Sequence, residues 1–141
     1  MLFRLVVYPI VNLKDGGGPV KYVRALEQVV IATLADMGIT ANCESGNTGV
    51  WTNQGKVAAI GVKISRGIAF HGLSLNVNTD LAYYQNIIPC GIADRPVTSM
   101  ASILGSPVDM GLVRYGLVYH FGREFRFRLE DGVASMLFRK I

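Results

Sequence analysis

The apolar residues of this chain change their period at Gly49, and that change limits the folds it can adopt. Upstream, Val23, Leu26, Val30, Leu34 and Met37 recur at the spacing of one helix face, with Lys21, Arg24, Gln28 and Asp36 elsewhere on the surface. Pro19 suits the first turn of that helix and Gly38 its stop. Downstream the period is two. Val50-Trp51-Thr52 and the run from Val57 to Ile64 flank Asn53-Gln54-Gly55, which favours a tight hairpin. A third strand, Ala69 to Val77, follows the break at Ser65-Arg66-Gly67. Before the helix, Leu5 to Ile10 reads as a strand closed by a proline, and Lys14 to Gly18 as a loop. Asp80 can cap a short helix running from Tyr84 to Ile87. Two more helices are expected, Thr98 to Leu104 and Met110 to Gly122, the second interrupted by Gly111 and Gly116. The order β, α, β, β, β, α, α predicts an α+β domain: a mixed β-sheet with flanking helices.

A chain of 141 residues fits one domain able to bury a core without disulfide staples. Half of it is apolar and the mean hydropathy is +0.34, yet no 18-residue window is uninterrupted by polar residues, so no membrane span is expected. The apolar excess points to an apolar substrate, to a core left partly uncovered, or to both. The net charge of +4 is spread evenly, with nine cations and seven anions in residues 1–122 and five and three in residues 123–141. Arg123, Arg126 and Arg128, alternating with Phe125 and Phe127, read as a solvated edge strand or an irregular end in preference to a nucleic-acid surface, and an acidic protein is the partner such charge suits. Cys43 and Cys90 form neither a disulfide framework nor a CxxC pair, which implies a reducing compartment and no structural zinc. Residues 1–4 run straight into the first strand with no signal or transit pattern.

The residues with chemical potential are few. Cys90 lies between Pro89, whose φ is fixed, and Gly91, whose φ is free, so its thiol sits in a locally dictated turn. A thiol with a pKa of about 8.5 needs a nearby cation to act as a nucleophile, and Lys56 is the best candidate. The plainer readings are a buried inert thiol and a hairpin-edge lysine. His71 is either a satisfied polar group at a strand end or the base for that thiol. Gly61 and Gly72 weaken their strands unless something approaches the backbone closely, as an extended acyl chain would, and Ser74 and Asn76 share the parity of Gly72. Gly16-Gly17-Gly18 lacks the spacing of a phosphate loop, and no GxSxG elbow or HExxH pair occurs. These residues together suggest a Cys/Lys site for acyl transfer through a thioester.

Five segments, taken in order, narrow this further: Glu44-Ser45-Gly46-Asn47-Thr48-Gly49-Val50-Trp51, Gly55-Lys56-Val57-Ala58-Ala59-Ile60-Gly61-Val62, His71-Gly72-Leu73-Ser74-Leu75-Asn76, Ile88-Pro89-Cys90-Gly91-Ile92 and Val97-Thr98-Ser99. Over about residues 5 to 121 the chain resembles the octanoyltransferases of protein lipoylation, in wording similar to mitochondrial members. The resemblance implies the fold of the lipoate and biotin protein ligases. It also implies transfer of an octanoyl group from octanoyl-acyl carrier protein to a lysine of lipoyl domains, those of 2-oxoacid dehydrogenase E2 subunits and of the glycine cleavage H protein. By the same resemblance Cys90 carries the acyl group, Lys56 lowers its pKa and relays protons, and Ala59, Ile60, Gly61, His71, Gly72, Leu73 and Ser74 bind the substrate. No metal or nucleotide cofactor is required, because the incoming thioester is already activated. The implied location is the mitochondrion, or otherwise the cytoplasm. Two other readings stand beside this one, a non-catalytic module that docks acyl carrier protein or lipoyl domains and an ATP-dependent lipoate ligase relative.

Family members carry an Arg-Gly-Gly segment and a His-Gly-Pro-Gly-Gln-like segment just before the strand matching Leu5 to Ile10. Here Met1 falls where the second should end, so the resemblance implies a catalytic domain over residues 1–122 that is incomplete at its N-terminus. Residues 123–141 are then a C-terminal extension without a family match.

Overall fold

The computed structural model describes residues 3–14, 17–82 and 95–132. Its elements are β1 (Phe3–Val7), β2 (Val11–Asn12), α1 (Gly18–Asp36), β3 (Asn42–Glu44), β4 (Asn47–Thr52), β5 (Gly55–Ser65), β6 (Ile68–Asn78), α2 (Met100–Leu104) and α3 (Met110–Phe125). The strands form one sheet in the order β1-β6-β5-β4-β3, with β2 also pairing β6. Among the described residues their pairings are antiparallel, and the parallel component is an isolated bridge between Lys56 and Val97. The chain is thus α+β, a sheet with helices on it.

α1 forms where the apolar spacing predicts, with Pro19 in its first turn and Gly38 at φ +77° just past its end. Its fully buried Val30 and Leu34 pack on one face of the sheet against Ala58, Leu73, Leu75 and Val77, and Leu26, equally buried, packs with Val11, Tyr22 and Ala69. Val113 and Leu117 of α3 complete that core. Each such leucine, removed from water, contributes about 1.5–3 kcal/mol.

The expected interruption of the last helix does not occur. α3 is continuous because Asp109 caps it, its carboxylate accepting from the Gly111 and Leu112 amides, and because Gly116 is where α3 crosses α1. A Cβ at Gly116 would stand 2.9 Å from Cγ2 of Thr33, so the missing side chain permits the close approach rather than breaking the helix. α3 also runs past residue 122 to Phe125, whose ring packs on Tyr22 and Phe121 at centroid distances of 5.5 and 4.4 Å. α2 is shorter than expected, beginning at Met100 with the Ser99 hydroxyl as its cap. β2 and β3 were not expected from the sequence; at two and three residues they are too short to show a period. The helix expected from Tyr84 to Ile87 lies outside the described residues.

β1 stands at one end of the sheet, and an apolar groove of about 390 Å³ opens between it and α3. Leu5, Val7, Leu73, Leu117, Phe121 and Leu129 line it. Among the described residues no helix is long and apolar enough to cross a membrane.

Candidate active site

Lys56 is the second residue of β5, opposite Trp51 of β4. A strict two-residue alternation along β5 would put Lys56 on the face of Ala58 and Ile60, toward the helices. The register instead shifts between Val50 and Trp51: Val50 pairs Ala58 while Trp51 pairs Lys56, leaving Val57 as an extra residue. Successive residues of β4 face opposite ways, and Val50 belongs to the helix-side core, so Trp51 and Lys56 share the other face of the sheet. Beyond the bulge, Ala59 and Gly61 lie on that same face.

The Lys56 side chain is closely held. Its ammonium lies 5.1 Å from the centre of the Trp51 ring, within cation–π range. Its stem crosses Gly49, where a Cβ would come within 2.6 Å of Lys56 Cε and 2.8 Å of the Ala58 carbonyl oxygen. Gly49 also has φ +135°, a conformation other residues rarely adopt. The backbone of Lys56 is bound on its other side: its N–H donates to the Pro96 carbonyl and its carbonyl accepts from the Thr98 N–H, both at 2.9 Å. Asn76 of β6 donates to the Thr98 carbonyl at 3.1 Å and accepts from Arg4 at 3.1 Å. Arg95 forms an ion pair with Glu44 of β3. The Arg95 hydrogen bond, aided by Asn47, holds the Glu44 carboxyl below its ordinary value, so the pair is intact at neutral pH and is lost as pH falls through that lowered value.

Residues 95–98 are therefore fastened to β5, β6 and β3 around Lys56. Cys90 lies outside the described residues, six positions before Pro96, so an extended chain allows it no more than about 20 Å from the Lys56 backbone contact. Cys43, the other thiol, is half-buried beside Arg24.

The residues expected to bind substrate fall into two groups. Ala59 pairs Ser74 and Gly61 pairs Gly72, on the face of Lys56. Ile60 pairs Leu73 on the opposite face, where Leu73 enters the core and Ile60 packs against it. Gly61 is exposed, and a Cβ there would meet nothing within 4 Å. Gly72 is different, because the Val7 carbonyl oxygen and Pro9 Cδ stand 2.1 and 2.6 Å from where its Cβ would be. Its lack of a side chain accommodates β1, not open space. His71 pairs Val62, six residues along β5 from Lys56, which separates the two by about 20 Å. With φ +63°, His71 sets its ring against Phe70 and Tyr8, and the structure does not bring it to Lys56.

The sequence reading missed Glu27. It is fully buried in α1, accepting from the Gly49 N–H at 3.0 Å and from Arg24 at 2.6 Å. The only sequence signal for it is a charge beside the apolar stripe. Among the described residues no group of three or more His, Cys, Asp or Glu side chains could hold a metal ion.

Residues 3–122 match the lipoyl protein ligase A/B catalytic domain. The chain belongs to this family. Among curated relatives it is 48% identical over 132 residues to the octanoyltransferase of Solibacter usitatus, covering 93% of this chain and 59% of that protein. It is 42% identical over 132 residues to the octanoyltransferase of Alkaliphilus metalliredigens, covering 92% and 61%. The chain thus spans about three-fifths of the length of these relatives, both of which are bacterial. Solved structures of similar fold include the apo biotin protein ligase of Aquifex aeolicus, at TM-score 0.71 and 21% identity over 87% of this chain and 53% of that one. A lipoate-protein ligase A bound with ATP superposes at TM-score 0.70 and 16% identity over 93% and 56%. Within the family, the sheet face bearing Lys56 is the candidate site.

Proposed function

We propose that this family member transfers octanoyl groups from octanoyl-acyl carrier protein to lysines of lipoyl domains, with Cys90 as the covalent carrier. The observation that supports this reading best is the pairing of Lys56 with Pro96 and Thr98, which ties the chain that follows Cys90 to the lysine. The relatives named octanoyltransferase supply the acyl group.

The Cys90 thiolate attacks the thioester carbonyl of the donor, and a new C–S bond forms. The tetrahedral oxyanion collapses, and the carrier sulfur leaves with a proton from the Lys56 ammonium. The acceptor lysine amine then attacks the Cys90 thioester and gives its proton to the now neutral Lys56. An amide forms, and the Cys90 thiolate departs. The acyl chain lies along the strip of Ala59, Gly61 and Ser74, and six buried methylenes contribute at most about 5 kcal/mol. The acceptors are the lipoyl domains of 2-oxoacid dehydrogenases and of the glycine cleavage H protein. Of the two implied locations, mitochondrion and cytoplasm, the bacterial relatives favour the second.

Octanoyl-acyl carrier protein, a lipoyl domain and this chain, without nucleotide or metal, should yield a lipoyl domain heavier by one octanoyl group on its lysine. A product that forms only from free octanoate and ATP would make the chain a ligase. Binding of both proteins without turnover would make it a docking module.

A further inference from the structure

We infer that Glu27 is a positioning residue for Lys56, acting through the backbone of Gly49. This inference rests on the role of Lys56 in the proposed reaction. Glu27 is a fully buried carboxylate on a helix whose neighbouring inward-facing residues are apolar, a costly placement unless both oxygens are engaged. Both are. Oε2 takes the Arg24 guanidinium, whose pKa is held above its ordinary value chiefly by that hydrogen bond. Oε1 takes the N–H of Gly49, on a different element 22 residues away.

That second bond fixes the floor on which the lysine rests. The register of β3 against β4 shifts between Asn42 and Glu44, and near this irregularity the Gly49 N–H is given to α1. A β4 backbone free to move there would open or close the space over Gly49, which already leaves no room for a Cβ beside Lys56 Cε. The Lys56 ammonium would then leave its place over the Trp51 ring. Arg24 also reaches the Glu44 carbonyl at 3.4 Å, and Glu44 holds Arg95, so the same buried carboxylate braces both sides of the lysine.

The test needs a readout that a loss of stability alone would not move. In the wild-type chain the Trp51 ring current should shift the Lys56 Hε resonances upfield of free lysine. Glu27→Asp keeps the charge for Arg24 but withdraws the oxygen from Gly49. Glu27→Gln keeps the length but offers Arg24 and Gly49 only one acceptor oxygen between them. In either variant, once dispersed core methyl resonances show that it is folded, most of the upfield shift should be lost. Lys56 Hε resonances unchanged in a folded variant would overturn the inference, and Glu27→Asp covers the case in which Glu27→Gln does not fold. The second arm follows alkylation of Cys90 with pH. Glu27→Asp should raise the midpoint when Lys56 is present and leave it unchanged in a Lys56→Met background; an equal rise in both backgrounds would overturn the inference. If Lys56→Met alone does not move the midpoint, the proposed role of Lys56 fails, while the resonance measurement still decides whether Glu27 positions it.

Discussion

Replacing Lys56 with methionine should raise the midpoint of Cys90 alkylation by about 1–3 pH units, the range for loss of an opposite charge within a few ångströms. The thiolate fraction at neutral pH then falls toward the few per cent of an ordinary thiol, a loss of about ten- to thirty-fold, and acyl-enzyme formation falls with it. Methionine keeps the apolar stem over Gly49 and Trp51, so the fold should persist and the change can be assigned to charge. Arginine at the same position separates the two roles. It keeps most of the charge effect, so the alkylation midpoint should stay near that of the wild type, but it scarcely deprotonates, so transfer to the acceptor lysine should still fall. Iodoacetamide alkylation with peptide mapping measures both midpoints and distinguishes Cys90 from Cys43, which has Arg24 beside it. Midpoints that stay put in both variants would leave Lys56 a structural hairpin residue.

Phenylalanine at Gly61 should block octanoyl transfer while leaving the fold intact. The position is exposed, its side-chain direction is open, and an aromatic residue suits a strand, so the stability change should stay within about 0.5 kcal/mol. If the acyl chain lies there, excluding six methylenes removes up to about 5 kcal/mol of binding, which lowers kcat/KM for an octanoyl donor by as much as about 5 × 10³-fold. A butyryl donor, shorter by four methylenes, should lose far less. Gly72 gives the contrast, since alanine there meets the Val7 carbonyl and should disturb the β1–β6 pairing whatever the substrate. Kinetics with the two donors measure this, and octanoyl transfer unaffected by the Gly61 variant would remove the acyl chain from this strip.

The parts of the fold legible in the sequence are those where one local pattern dominates. The stripe of Leu26, Val30 and Leu34 and the turn at Asn53-Gln54-Gly55 depend on neighbours within a few residues, so period and turn chemistry suffice. Gly116 misled because helix propensity is a local quantity, whereas Thr33, which makes the glycine useful, comes from another helix. The site shows the same division. Lys56 was recognisable by motif, but its face of the sheet is set by the extra residue Val57, which a two-residue period cannot register. The residues expected to bind substrate form two contiguous segments, yet pleating sends Ile60 and Leu73 to the other face. His71 was a candidate base by residue type, and strand register moved it away from Lys56. Glu27 carries no motif, since its partner Gly49 is distant in sequence.

Intact-mass analysis of the chain after brief exposure to octanoyl-acyl carrier protein, followed by peptide mapping, tests the covalent intermediate most directly. The expected result is one hydroxylamine-sensitive octanoyl adduct on Cys90, absent in Cys90→Ser and retained in Cys43→Ser. An adduct that persists in Cys90→Ser and vanishes in Cys43→Ser, or transfer to a lipoyl domain by the Cys90→Ser chain at the wild-type rate, would contradict it.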